Sequence, residues 1–362
     1  MISRRETRQV LVAGFPIGGN APLSIQSMTS CPIEDIGTTV NQINALEKAG
    51  AQIVRLAIRN VEAVDYLKKI ISQVNVKLCA DIHFDYRIAL AAIKAGVHKI
   101  RLNPGNIGDN NRIIEVINAA KDYDVPIRIG VNGGSVNKKK YPEITAESLV
   151  ASALEHVHIL EDNNFYNVVV SLKSSDVFQT IEANKLFASQ RDYPLHIGLT
   201  EAGYGTFCIV QSSVVIGHLL LSGLGDTIRV SMTGDPVEEV YIAKQLLESI
   251  GLQKQYIKII SCPTCGRTDT SLDILSLAKS VEEQLRMNFE KTLITQNRTF
   301  TAAIMGCEVN GPGEAAHADI GLAGGRNGKL LLFAKGDKKE LVQVDSAVDK
   351  IVEVAESIIN DN

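Results

Sequence analysis

Apolar residues recur at every second position in short runs and at every third or fourth position in longer ones, and the two periods alternate from residue 23 to about residue 251. A period of two fits a strand, and one near 3.6 fits an amphipathic helix. The pattern predicts strands over residues 23–28, 53–57, 77–82, 99–103, 126–131, 167–172, 194–199 and 227–232. It predicts helices over 39–49, 61–74, 86–95, 110–123, 146–163, 177–191, 207–222 and 236–250. Eight strands, each followed by a helix, is the number that closes a (β/α)8 TIM barrel, so the expected class is α/β. Ahead of the first strand, 9–12 and the turn-rich 14–20 predict a small hairpin closing the barrel bottom. Gly18 and Gly19 there suit a turn better than a phosphate loop, because no helix starts directly after them.

After Gly251 the alternation changes. Strands are expected over 257–261, 300–305, 319–322 and 329–333, with helices over 272–289 and 344–359. This reads as a separate α+β unit, so the expected domains are 1–252, a substrate-binding barrel, and 253–362, a metal-cluster unit.

Composition narrows the function classes. With 45% hydrophobic and 22% charged residues the chain can bury sizeable cores. A formal charge of −4 lacks the clustered basic excess of a nucleic-acid or membrane-surface binder, so neither partner is expected. The lysine run 138–140 reads as a solvated loop face. Arg4, Arg5 and Arg8 are not followed by an apolar run of signal-peptide length, and a cytoplasmic location is expected. The apolar stretch 209–221 is interrupted by Gln211, Ser212, Ser213 and His218, which predicts a buried helix rather than a membrane span.

Polar residues spaced two apart at the ends of barrel strands point into the mouth, where such folds place their chemistry. The second strand carries Arg55, the third Asp81 and His83, the fourth Arg101 and Asn103, and the fifth Arg128 and Asn132. The sixth carries Ser171 and Lys173, the seventh ends at Thr200 and Glu201, and the eighth has Arg229 and Ser231. Any one arginine could be a surface ion pair. Four arginines and a lysine on one rim would repel one another without a multiply charged anion, and a diphosphate suits the guanidinium fork. Glu201 and the Asp81/His83 pair are the acid–base candidates, with an orienting role for His83 equally open.

Of the six cysteines, Cys31, Cys79 and Cys208 sit among apolar neighbours as ordinary buried thiols. Cys262 and Cys265 share a Pro-containing loop, and Cys307 lies in the Gly-rich stretch Gly306 to Glu314. Three thiolates leave one position of a metal centre for another ligand, and only His317 offers a nearby imidazole to close a zinc site. The spacing alone leaves both zinc and an iron–sulfur cluster open.

Several stretches together carry a resemblance: Gln26-Ser27-Met28-Thr29, Asp81-Ile82-His83-Phe84, Arg101 to Asn106, Arg128 to Asn132, Thr200-Glu201-Ala202-Gly203, Ser261 to Arg267 and Gly306 to Glu314. The chain resembles, over nearly its whole length, the bacterial 4-hydroxy-3-methylbut-2-enyl diphosphate synthases in their compact form. The resemblance implies a [4Fe-4S] cluster held by Cys262, Cys265, Cys307 and Glu314. It implies two-electron reductive opening and dehydration of 2-C-methyl-D-erythritol 2,4-cyclodiphosphate, with a flavodoxin or ferredoxin as the natural class of electron donor. By motif, Arg55, Arg101, Arg128 and Lys173 resemble the diphosphate ligands, with Asn103, Asn132, Thr200, Arg229 and Ser231 around them and Asp81 and His83 beside them. Glu201 resembles the proton-delivering carboxylate, and Glu314 a resting cap on one iron that yields to substrate. Independently, a reductive C–O cleavage needs electrons that no side chain supplies.

The eighth helix should run back from the mouth and leave the chain at the barrel bottom, with only the short link 252–256 to the second unit. The expectation is a head-to-tail homodimer in which each cluster unit serves the other subunit's barrel, as the family also implies. Two rivals stand beside this reading: a phosphate-binding barrel lyase or isomerase with a structural zinc unit, and a non-enzymatic iron–sulfur carrier or redox sensor.

Overall fold

The structure is a computed structural model that describes residues 2–102, 110–137, 139–268, 272–325 and 328–361. Asn103, with the rest of the 103–109 stretch, and Lys138 lie outside the described residues. Two compact units emerge, Met1–Leu252 and Gln253–Asn362.

In the first unit, a hairpin of β1 (Val10–Val12) and β2 (Phe15–Ile17) precedes eight parallel strands. These are β3 (Ser24–Met28), β4 (Ile53–Ile58), β5 (Lys77–Ile82), β6 (Lys99–Leu102), β7 (Ile127–Asn132), β8 (Val168–Lys173), β9 (His196–Ile197) and β10 (Thr227–Ile228). The sheet runs in the order β8-β7-β6-β5-β4-β3-β10-β9, and a parallel bridge between Val170 and Leu195 joins its two ends into a barrel. Helices α1 (Ile36–Ala49), α2 (Ala63–Ile71), α3 (Tyr86–Lys94), α4 (Asn110–Asp122), α5 (Ala146–Asp162), α6 (Val177–Ala188), α7 (Gly205–Leu221) and α8 (Pro236–Ser249) follow the strands in turn. Asp35, Asp85, Asp176 and Asp235 cap their helices by accepting backbone N–H bonds, and Thr145 with Ser148 forms a capping box. Each cap ends a strand-to-helix loop on the mouth side, so these side chains fix where the loops end.

The hairpin closes one end of the barrel: Val10, Val12 and Ile17 are buried against Ile53, Cys79 and Val169. Along several strands, alternate residues leave this apolar floor and become polar toward the C-terminal end, as in Cys79-Asp81-His83 and Val169-Ser171-Lys173. The seventh and eighth strands are two residues each, shorter than the apolar runs suggest, because irregular backbone begins at Gly198 and Arg229. Gly198 has φ +152°, and a Cβ there would meet the Arg229 carbonyl oxygen at 2.2 Å. Only glycine allows that approach.

The 209–221 stretch is helical but not wholly buried. Val210, Val214 and Leu221 of α7 are about half exposed, and Phe207 is 70% exposed. The helix is apolar on both faces, so period counting does not separate the barrel-facing side from the other. Among the described residues, no helix is long and apolar enough to cross a membrane.

In the second unit, β11 (Ile257–Ser261), β12 (Phe300–Met305), β13 (Ile320–Gly324), β14 (Lys329–Ala334) and β15 (Asp337–Gln343) form one sheet in that order. The first three strands are parallel and the last two antiparallel. Helices α9 (Ile274–Thr295) and α11 (Ala347–Asn360) share a core with Ala302, Ile304, Leu322 and Leu332. The alternate residues Ala303, Met305, Ala323 and Phe333 form a second, smaller core with Ala315 of the short helix α10 (Gly311–His317). The strand period of two thus sends one face to the long helices and the other to the cysteine loops.

Candidate functional site

The barrel interior holds one set of candidate residues. Asp81 is buried and sits among three basic groups: Arg101 Nη1 donates to its Oδ1 at 3.1 Å, Arg55 Nε lies 3.5 Å from Oδ2, and His83 Nε2 lies 3.5 Å from Oδ1. Burial alone would raise the Asp81 pKa, but Arg55, the His83 hydrogen bond, Arg101 and Arg128 outweigh it and hold the carboxyl well below its usual range. Asp81 is therefore an ionised counter-charge rather than a proton donor. His83 itself is half exposed, with its Nε2 3.0 Å from Arg101 Nη1.

Arg128 is 2% exposed, and among the described residues its Nε and Nη1 have no hydrogen-bond partner; the same holds for Arg101 Nε. Burial, then Arg55 and Arg101, push the Arg128 guanidinium down to about 9. Lys173, also buried, is lowered well below the usual lysine range by burial and by Arg128, Arg229 and Arg55. These cations face one another, and a guanidinium has no route to neutrality at ordinary pH. The cost of holding them together is offset when an anion enters.

The remaining predicted residues are dispersed around this group. Asn132 ends β7 beside Lys173 in register, and both Thr200 and Ser231 are partly exposed beyond the short seventh and eighth strands. Glu201 is exposed, with φ +54°. Phe84 and Thr264, also in predicted motifs, share that left-handed backbone, at φ +64° and +51°. Non-glycine residues hold such conformations at a cost of about 1–3 kcal/mol, a strain that collects at functional turns.

Several barrel residues escaped the sequence reading. Lys99 is fully buried, with Nζ 3.0 Å from Gln26 Oε1. His196 is buried and kept neutral by burial and by Lys173, Arg128, Lys99 and Arg55. The Met28 thioether accepts from Arg55 Nη2 at 2.9 Å and Nε at 3.2 Å. Glu239 is buried and receives Arg229. Lys99 could have been found by its spacing, two residues before Arg101 on the same strand; Glu239, in the first turn of a helix, reads simply as a favourable dipole charge.

The second unit brings Cys262, Cys265, Cys307 and Glu314 to one cavity of about 450 Å³, lined also by Pro263, Met305 and Arg267. Gly306 N–H donates to Cys262 Sγ at 3.2 Å. A hydrogen bond from the Arg267 side chain lowers the Cys265 thiol, and backbone N–H bonds of Asn310, Val309 and Gly311 lower the Cys307 thiol. Both are thereby biased toward thiolate, the form that binds metal. Gly306 and Gly324 let the two loops close: a Cβ on Gly324 would lie 2.5 Å from the Gly306 carbonyl oxygen. Among the described residues, no three of His, Cys, Asp or Glu converge on a point as a single metal ion requires. His317, at the far end of α10, does not line this cavity. Cys79 and Cys208 are buried in the barrel unit, and Cys31 bonds to Gln42 and Thr39, so none of these three joins the cavity.

A closed (β/α)8 barrel with buried cations in excess, followed by an α+β unit with a thiol-lined cavity, defines a two-unit anion-binding barrel protein. The chain belongs to the GcpE family: residues 7–244 match the GcpE TIM-barrel domain and 258–357 the GcpE protein C-terminal domain. It is 46% identical over 360 residues to the 4-hydroxy-3-methylbut-2-en-1-yl diphosphate synthase (flavodoxin) of Clostridium perfringens, covering 99% of this chain and 100% of that one. The enzymes of the same name from Fusobacterium nucleatum and Maridesulfovibrio salexigens are 48% and 49% identical, covering 96% and 95% of this chain and 96% and 94% of theirs. Among solved structures, dihydropteroate synthases from Xanthomonas albilineans and Stenotrophomonas maltophilia superpose with TM-score 0.50 at 12% and 14% identity. They cover 69% and 66% of this chain and 99% and 98% of their own, a likeness in barrel fold alone.

Proposed function

We propose that this protein is a 4-hydroxy-3-methylbut-2-en-1-yl diphosphate synthase of isoprenoid-precursor synthesis, acting on 2-C-methyl-D-erythritol 2,4-cyclodiphosphate. The observation that carries the reading is the cationic group of buried Arg101, Arg128 and Lys173 with half-buried Arg55 and Arg229, which among the described residues is paired by Asp81 and Glu239 alone and leaves two Arg128 donors without a described partner. Such a site favours a ligand carrying two or more negative charges. The overall change takes up two electrons and two protons, breaks the C–O bond that closes the ring, and releases one hydroxyl as water.

Arg55, Arg101, Arg128 and Lys173 hold the diphosphate, with Asn103, Asn132, Thr200, Arg229 and Ser231 completing the cradle and Asp81 and His83 fixing the arginines. Glu201, at the open edge of the barrel, delivers the proton that lets the hydroxyl leave as water. Cys262, Cys265 and Cys307 would hold a [4Fe-4S] cluster, with Glu314 as an exchangeable oxygen ligand; the thiolate bias of Cys265 and Cys307 and the cavity's volume support this fit. When bound, the cluster supplies the electrons that no side chain can. A flavodoxin or ferredoxin reduces it, the former being in the relatives' names. Residues 1–252 thus bind substrate and 253–362 hold the cluster, in a cytoplasmic head-to-tail homodimer.

The test is anaerobic turnover of reconstituted protein with the cyclodiphosphate and a reduced viologen, scored by mass detection of the linear product. Product that disappears in Cys307→Ala is expected, from a brown, iron-containing protein. A colourless zinc protein, or no product from protein with a verified intact cluster, would overturn the assignment.

A further inference from the structure

Glu239 makes more contacts with the barrel mouth than any role in capping α8 requires. It sits in the first turn of that helix, yet its carboxylate is 4% exposed and turned inward. Oε1 accepts from Arg229 Nη2 at 3.3 Å and from the backbone N–H of Met232 at 3.0 Å. Oε2 accepts from Arg229 Nε at 3.3 Å and from Ser27 Oγ at 3.0 Å. The carboxylate therefore ties the end of β3, the start of α8 and the segment after β10 to one guanidinium. Arg229 Nη1 is left pointing elsewhere, 3.8 Å from the Met28 sulfur, which Arg55 also contacts at 2.9 Å.

We infer that Glu239 is a positioning residue for anion binding: it fixes the Arg229 fork from behind, and Met28 sets the spacing between Arg229 and Arg55, so that both arginines present their remaining donors to one diphosphate. A side-on carboxylate occupying Nε and Nη2 fixes the guanidinium plane, which a single contact would not. The soft thioether lets two like charges share a neighbour without neutralising either. Glu239 reaches the ligand only through Arg229.

This inference rests on the diphosphate reading, and the test separates the two. Inorganic diphosphate is titrated calorimetrically into the full chain and into Glu239→Gln, Glu239→Asp, Arg229→Gln and the Glu239→Gln/Arg229→Gln double variant, with thermal unfolding recorded for each. Loss of a charge-assisted contact predicts roughly tenfold weaker binding for Glu239→Gln. Glu239→Asp, which keeps the charge but shortens the reach, should weaken binding as well. In the Arg229→Gln background the further loss should shrink toward nothing, since coupled residues are not additive. Additive losses, or variants that melt earlier yet bind diphosphate as the unaltered chain does, would overturn the inference and leave the diphosphate reading standing. An unaltered chain that does not bind diphosphate would overturn both.

Discussion

Lys99 is a fully buried ammonium whose only described hydrogen-bond acceptor is Gln26 Oε1. Burial lowers it, the Cys79 thiol partly opposes this, and Arg128 and Arg55 lower it further, to about 8 from the usual 10.5. Below pH 8 both folded and unfolded chains carry the proton, and the cost of burying the charge is fully present. Between pH 8 and 10.5 the unfolded chain binds more protons than the folded one, so stability should rise with pH by up to about 3 kcal/mol. Lys99→Met should raise stability at pH 7 by about 1–3 kcal/mol and flatten that rise, as measured by urea unfolding between pH 7 and 9.5. An unchanged slope would show that Lys99 does not titrate there. At the same scale, a Cβ on Gly130 would lie 2.6 Å from Arg101 Nε. The side chain can move aside, so Gly130→Ala should leave the melting temperature nearly unchanged while weakening diphosphate binding roughly tenfold, the cost of displacing one charge-assisted donor.

The elements carrying the cavity of the second unit meet through backbone, which makes them less forgiving. At Gly324 on β13, an added Cβ would meet the Gly306 carbonyl oxygen at 2.5 Å and its carbon at 2.8 Å. Gly324→Ala must then push the Cys307 loop away from Cys262, at a cost of about 1–3 kcal/mol. Iron content after reconstitution should fall sharply, whereas diphosphate binding by the barrel should persist because its core is separate. Equal loss of both would contradict that independence. Two elements here were not legible from periodicity. In β15 only Val342 is buried, so a charged edge strand looks like a loop, and α10 begins Gly-Pro-Gly, a turn signal that in place is a first helical turn with Pro at its tolerated position.

At the scale of the whole molecule, the proposed head-to-tail dimer predicts complementation. Cys307→Ala keeps an intact barrel and Arg128→Ala an intact cavity, so each alone should be inactive. Mixed under conditions that allow subunit exchange, they should recover about a quarter of the unaltered activity, because half of the dimers then contain one complete site out of two. No recovery despite exchange verified by mass spectrometry, or full activity from a strictly monomeric protein, would refute shared sites.

The amino-acid sequence by itself determined the alternation that makes eight βα units, the inward polar positions at the strand ends, and the cysteine spacing, because each depends on residues close together in the chain. Asp81 with His83 and Cys262 with Cys265 were readable for that reason. Tertiary structure decided what those residues face. Barrel closure sets β10 beside β3, bringing Glu239 of α8 onto Ser27 and Arg229, and it leaves Lys99 among arginines rather than carboxylates. It also decides which side of α7 is covered, since a helix apolar all round carries no mark of its inner face. Charge compensation and burial are sums over neighbours distant in sequence, and they exist only once the chain has closed.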